Sequence, residues 1–194
     1  AQIIGKLHNP DNSIAVPGFY DDVVALSPEE RADLAKQDIS EATLKRDVGV
    51  PGAWGEAAYN LRERISARPT MEINGLLSGW TGAGAKTVLP AKAMAKISCR
   101  LVANQDPFKI YELVKAYVAQ ITPPTVRSEV TLINAGYPAM VDLHTPAMQA
   151  AVRAYEQGWG AAPIFAREGG SIPVVADFKT ILGIPSILMG YGLN

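Results

Sequence analysis

Ala95-Lys96-Ile97-Ser98-Cys99-Arg100-Leu101 alternates without a break, with Ala95, Ile97, Cys99 and Leu101 on one side and Lys96, Ser98 and Arg100 on the other. Successive side chains of an extended chain point to opposite faces, so a period of two predicts a strand with one covered and one wet face. Upstream, the period becomes alternating after Arg68-Pro69, where Met71 and Ile73 share one face and Glu72 and Asn74 the other. A second strand begins there, and a glycine-rich loop at residues 75–84 separates the two. Downstream, Asp106-Pro107 caps a helix in which Ile110, Leu113, Val114, Tyr117 and Val118 recur at helical spacing up to Pro123-Pro124. That apolar stripe needs a sheet to cover. Residues 126–132 alternate again, Val126, Ser128, Val130 and Leu132 against Arg127, Glu129 and Thr131. The order helix, strand, strand, helix, strand predicts an α+β fold: an antiparallel sheet with helices on one face.

The flanks follow a different grammar. Ile3, Ile4 and Leu7 fall on one helical stripe with no capping residue before them, which predicts a helix cut through at Ala1 and ended by Asn9-Pro10-Asp11-Asn12-Ser13. Ser27-Pro28-Glu29-Glu30 combines an N-cap serine, a proline at the first helical position and a glutamate three residues after the cap. Residues 31–46 are polar and charged, a solvent-facing helical excursion whose role cannot be derived from its pattern. In the tail, Thr145-Pro146 caps a helix running to about Trp159, a further helix runs through Phe178, and Ile187-Leu188-Met189 reads as a short apolar strand of a buried parallel sheet. The change predicts a boundary between residues 138 and 143, giving a first domain at 1–140 with a helical excursion at about 20–65, and a partial α/β segment at 141–194.

Composition narrows the partners. With 194 residues and 48% hydrophobic content the chain can bury a core, and 18 basic against 19 acidic side chains leave a net charge of −1. No broad field draws in nucleic acid or an anionic membrane, so the expected partner is a small molecule or another protein. No apolar run approaches the roughly 20 residues that span a bilayer. Cys99 is the one cysteine, which excludes an intrachain disulfide and a four-thiolate zinc site and suits a reducing, cytoplasmic compartment.

Arg167-Glu168-Gly169-Gly170-Ser171-Ile172-Pro173 stands between the apolar pair Ile164-Phe165 and the last helix. Two glycines, a serine and a helix entry offer free backbone N–H groups to a carboxylate or phosphate; the plainer reading is a loop-to-helix turn. Arg100 can fork onto a carboxylate, or simply belong to a solvated sheet face. Gly82-Ala83-Gly84-Ala85-Lys86-Thr87 fails as a phosphate loop, because Ala85 separates glycine from lysine and the segment joins two strands. His8 and His144, the two histidines, lie beside no acidic ligand cluster, and Asp21, Asp22, Asp142 and Asp177 are scattered acids suited to capping or solvation. No serine or cysteine has a nucleophile's neighbourhood, so no catalytic residue and no metal ligand is assigned.

Taken together, Arg167-Glu168-Gly169-Gly170-Ser171-Ile172-Pro173, Gly84-Ala85-Lys86-Thr87-Val88-Leu89-Pro90, Lys96-Ile97-Ser98-Cys99-Arg100-Leu101-Val102 and Val16-Pro17-Gly18-Phe19-Tyr20-Asp21-Asp22-Val23 resemble the carnosinase-like branch of the aminoacylase/carboxypeptidase superfamily, metallopeptidase family 20. The resemblance follows the family's order along the whole chain. It implies a zinc-binding α/β domain interrupted by a lid, a four-stranded antiparallel sheet with two helices through which subunits form a homodimer. By position, Arg100 and Thr87 match lid residues that reach the substrate's carboxylate, and Arg167, Glu168, Gly169, Gly170 and Ser171 match the loop that holds its carboxylate and amine ends. Two zinc or other divalent ions and a metal-bound hydroxide would cleave a peptide or acyl-amino-acid bond in the parent protein.

The departures are equally informative. The family's His-x-Asp pair, Glu-Glu pair, further aspartate and C-terminal histidine have no counterpart in this sequence, and Ala135 stands before Gly136 where relatives often carry histidine. Two isolated histidines cannot hold two metals, so this chain is expected to bind none and to be inactive alone. The expectation is a lid plus C-terminal piece of such an enzyme. A natural non-catalytic dimerisation or binding module derived from the family, and an unrelated anion-binding α+β domain, are the alternatives.

Overall fold

The computed structural model describes residues 1–36, 39–167 and 173–190. Its described elements are a 3₁₀ turn at Ile4–Lys6, helices α1 (Pro28–Ala35), α2 (Glu41–Val48) and α3 (Leu61–Ser66), strands β1 (Thr70–Ser78) and β2 (Ala93–Arg100), and helices α4 (Pro107–Ile121), α5 (Pro146–Trp159) and α6 (Pro173–Leu182). The α+β class follows directly.

β1 and β2 form the expected antiparallel hairpin, with Thr70 opposite Arg100, Met71 opposite Cys99 and Ile73 opposite Ile97. The register then shifts, so that Gly75 faces Lys96 and Asn74 is the extra residue of a bulge. A bulge bends its strand and increases the local twist. On the near side Met71 is buried and Ile73, Ile97, Cys99 and Leu101 pack on the core. On the far side Leu76, Leu77, Met94 and Ala95 are exposed. Ala95, expected inward, is thus corrected: alternation tells which side a residue faces, not whether anything lies there.

α4 covers one face of this hairpin. Asp106 accepts from the amides of Phe108 and Lys109, Pro107 opens the helix, and Ile110, Val114 and Val118 bury a stripe at four-residue spacing. They meet Met71, Leu7, Ile14, Val16 and Phe19, and burying each such side chain contributes about 1.5–3 kcal/mol. Gln105, itself buried, locks the junction: its Oε1 accepts from the Val102 amide and its Nε2 donates to the Phe19 carbonyl.

The N-terminal segment departs from expectation. In place of a cut helix it makes one 3₁₀ turn, after which Leu7 is fully buried and His8 bridges Ile14 around a loop that carries Asn12 at φ 66°. Pro10 leaves too little chain for a helix to propagate, so burial of Leu7 decides the path.

The excursion forms three short helices. Ser27 and Glu30 make the predicted capping box of α1, and Asn60 with Glu63 makes another on α3. Glu63 also pairs with Arg31, joining α3 to α1. Next to β1, Arg68 grips both oxygens of Glu56 and lies between the rings of Tyr20 and Tyr59, which fastens the preceding loop to the hairpin.

Two expected strands do not form. Residues 126–132 and 187–189 join no ladder, and the described sheet has two strands where the resemblance implied four. Val130 still packs on the core and its carbonyl accepts from the Tyr111 hydroxyl at 3.1 Å. The Val126 amide also donates to the Pro123 carbonyl and the Thr122 hydroxyl to Ser128 Oγ, while the outer edges of β1 and β2 stay unpaired among the described residues.

Candidate substrate-binding residues

Arg100 closes the open end of the hairpin, paired in register with Thr70, and its side chain is exposed on the wet face. Thr87 is exposed in the connection at residues 79–92, which leaves from the opposite end, where Ser78 faces Ala93. That connection is tied internally just before Thr87: the Lys86 ammonium sits 4.5 Å over the Trp80 ring centroid, and the Trp80 indole donates to the Ala83 carbonyl at 3.3 Å. Gly84 takes φ +81°, a turn conformation that other residues adopt only with strain.

Arg167 is mostly buried and engaged. Its Nε donates to Glu30 Oε1 at 2.8 Å, its Nη2 approaches the same oxygen at 2.6 Å, and its Nη1 donates to the Val24 carbonyl at 3.1 Å. The other Glu30 oxygen accepts from the Ser27 amide at 2.8 Å, the reach-back half of the capping box. Burial pushes the Glu30 carboxyl up, but the Ser27 amide and the Arg167 guanidinium more than offset it and hold its pKa below the ordinary value. Glu168, Gly169, Gly170 and Ser171 lie outside the described residues. Among those described, no hydrogen bond joins Arg100, Thr87 and Arg167 to one another; Glu30, which no local pattern singled out as a partner for Arg167, is the residue that gathers this corner.

The described donor set does not fit a metal centre. Among the described residues no three His, Cys, Asp or Glu side chains converge. His8 packs edge-on against Trp54 with centroids 5.2 Å apart, and burial, opposed by the charge on Glu72, lowers its pKa. The His144 amide donates to Asp142, a local turn contact. Nor is any described helix long and apolar enough to cross a membrane.

The family model of the peptidase dimerisation domain of M20 enzymes matches residues 1–126. The chain belongs to the M20 peptidase family. Along this M20 chain, the Cys-Gly metallodipeptidase of Candida albicans is 29% identical over 195 residues, which cover 98% of the chain and 40% of that relative. Human Beta-Ala-His dipeptidase is 23% identical over 193 residues, 98% of the chain and 38% of that protein. Among solved structures, an M20 family metallo-carboxypeptidase from Sulfolobus solfataricus superposes with a TM-score of 0.80 at 30% identity, covering 94% of this chain and 47% of that one. The di-peptidase Dug1p of Saccharomyces cerevisiae gives 0.77 at 27% identity, covering 95% and 39%. The M20 chain thus spans about two fifths of the length of the curated relatives it matches.

Proposed function

We propose that this chain is the dimerisation domain and adjoining C-terminal segment of a dinuclear metallopeptidase that hydrolyses the peptide or amide bond of a small substrate in the cytoplasm. The supporting observation is that proteins named as metallodipeptidases align across 98% of the chain. In this reading residues 1–140 are the lid and residues 141–194 belong to the catalytic domain. Arg100 and Thr87 reach the substrate's carboxylate, and the loop of Arg167, Glu168, Gly169, Gly170 and Ser171 holds its charged ends. A guanidinium fork, a hydroxyl, an acceptor and free amides suit those tasks. The parent carries two zinc or other divalent ions, and the part played by this chain is to bind substrate and to self-associate. Self-association is supported by the hairpin, whose unpaired outer edges adjoin exposed Leu76, Leu77, Val88 and Leu89.

The test is hydrolysis of Cys-Gly, the dipeptide named for the Candida relative, by the intact protein. Arg100→Ala is expected to raise KM by about tenfold or more, the loss of one charge-assisted contact to a carboxylate. An unchanged KM would remove Arg100 from the site. The second reading, a non-catalytic dimerisation or binding module, draws on the match of residues 1–126 to the dimerisation-domain model. It predicts dimers without turnover.

A further inference from the structure

The connection from β1 to β2 is exposed throughout residues 79–92 and belongs to no ladder. A loop of that length with nothing beneath it samples many shapes unless contacts of its own hold it. Trp80 supplies such contacts. Its indole N–H donates to the Ala83 carbonyl at 3.3 Å, and the Lys86 ammonium stands 4.5 Å over its ring centroid. The same ring is seated against the Gly82 backbone: a Cβ at Gly82 would stand 2.4 Å from Trp80 Cζ2 and 2.9 Å from Cε2, closer than a side chain could come without moving the indole. Gly79 and Gly84 take φ +73° and +81°, left-handed turns on either side of this seat. The segment from Trp80 to Lys86 is thereby closed on an aromatic ring. Thr87 is the next residue.

We infer that Trp80 is a positioning residue for Thr87: by gathering Gly82, Ala83 and Lys86 onto its ring it holds the connection in the shape that presents the threonine to substrate. This rests on the proposed substrate-binding reading of Thr87. Trp80 itself touches no substrate in this account. A loop that occupies its binding shape for a fraction of the time weakens apparent affinity by that fraction, while the bound complex reacts as before, so loss of the ring acts on KM and spares kcat. It spares stability as well, because Trp80 is 51% exposed and lies outside the core that Met71 and α4 build.

The experiment measures Cys-Gly hydrolysis by the intact protein carrying Trp80→Ala, Gly82→Ala, both together, or Thr87→Val. Trp80→Ala is expected to raise KM about tenfold with kcat within about twofold and the melting temperature unchanged, the loss of a cation–π contact and a hydrogen bond. Gly82→Ala should match it, since the added methyl unseats the indole. The double variant should go no higher than either single one, because the atoms nearest that methyl all belong to the ring. Lys86→Met should raise KM about threefold, and Lys86→Arg should keep it near wild type, as a guanidinium also stacks on indole. A Trp80→Ala KM equal to wild type overturns the inference, and so does a double variant whose two rises multiply, or a kcat that falls in step with the rise in KM. Thr87→Val separates the two failures. If it raises KM about fivefold, the loss of a hydroxyl contact, while Trp80→Ala does not, the substrate-binding reading stands and the role of Trp80 falls alone. If Thr87→Val leaves KM unchanged, Thr87 is removed from the site and the inference falls with it.

Discussion

The guanidinium of Arg68 holds Glu56 by two parallel bonds, Nε to Oε1 at 3.0 Å and Nη2 to Oε2 at 2.8 Å, while its flat faces meet Tyr20 at 4.6 Å and Tyr59 at 4.3 Å. Both side chains are largely shielded, at 14% and 12% exposure. Lysine would keep the charge but offer a point donor with no plane to stack. Arg68→Lys should therefore cost about 2 kcal/mol, seen as a lower urea midpoint with the slope unchanged. An unaltered midpoint would mean that the loop at residues 49–60 is held by other contacts.

Alkali should loosen the same corner. Burial pushes the Tyr20 phenol up to about 12 against the opposing pull of the Ile14 amide, and burial followed by the charge on Glu72 pushes the Cys99 thiol up to about 12. Both groups are neutral when protonated, and the folded state keeps the proton longer than the unfolded chain does. Their contribution is present in full below the unfolded values of about 9 for the thiol and about 10 for the phenol, and is lost as pH rises toward 12. The melting temperature should fall progressively between pH 9 and pH 12, and Cys99→Ala with Tyr20→Phe should flatten that fall. A slope identical in the double variant would assign the alkaline loss elsewhere.

Gly18 allows the turn that delivers Phe19 to the core. Its φ is +78°, and a Cβ there would stand 3.3 Å from Asp21 Oδ2 and 3.5 Å from a Leu113 methyl. Left-handed backbone costs a residue with a Cβ about 1–2 kcal/mol, and the adjacent contacts leave little room to relax. Gly18→Ala should lower the melting temperature by several degrees, consistent with that cost for a domain of this size. No change would show that the turn can shift without disturbing Phe19.

How far these features could be read from sequence depends on the range of the interaction that makes them. Met71 with Ile73, and Ile97 with Cys99, carry a local period, and Asp106-Pro107 and Ser27-Pro28-Glu29-Glu30 are local caps; each formed as the pattern predicts. Val126 to Leu132 carry the same period and form no strand, because a period of two marks sidedness and not pairing, and Val130 settles against α4 and the core without using the free edges of the hairpin. The helical stripe of Ile3, Ile4 and Leu7 predicts a helix where a single 3₁₀ turn forms, since burial of Leu7 fixes its side and Pro10 limits the helix. Arg100 was legible as an outward side chain. The partner of Arg167 was not, as nothing in the spacing of Glu30 points across 137 positions.

The far half of the hairpin presents the sharpest question of association. Beyond the Asn74 bulge, Leu76 and Leu77 are 63% and 54% exposed, and Leu89 at the loop is 91% exposed. A strand end with apolar side chains on both faces and an unpaired outer edge gains by adding a strand or a face from another copy. Lysine at such positions keeps the extended backbone but opposes burial of the face. Leu76→Lys with Leu77→Lys should therefore leave the melting of the monomer nearly unchanged and raise the dimer dissociation constant at least about tenfold in sedimentation, given about 1.5–3 kcal/mol for each leucine that the interface buries. Should the dimer persist at the same concentration, the contact lies on α4 or the tail and the hairpin is free to face substrate. Should the wild-type protein itself sediment as a monomer throughout, the exposed leucines answer to another surface, and self-association through the sheet is wrong.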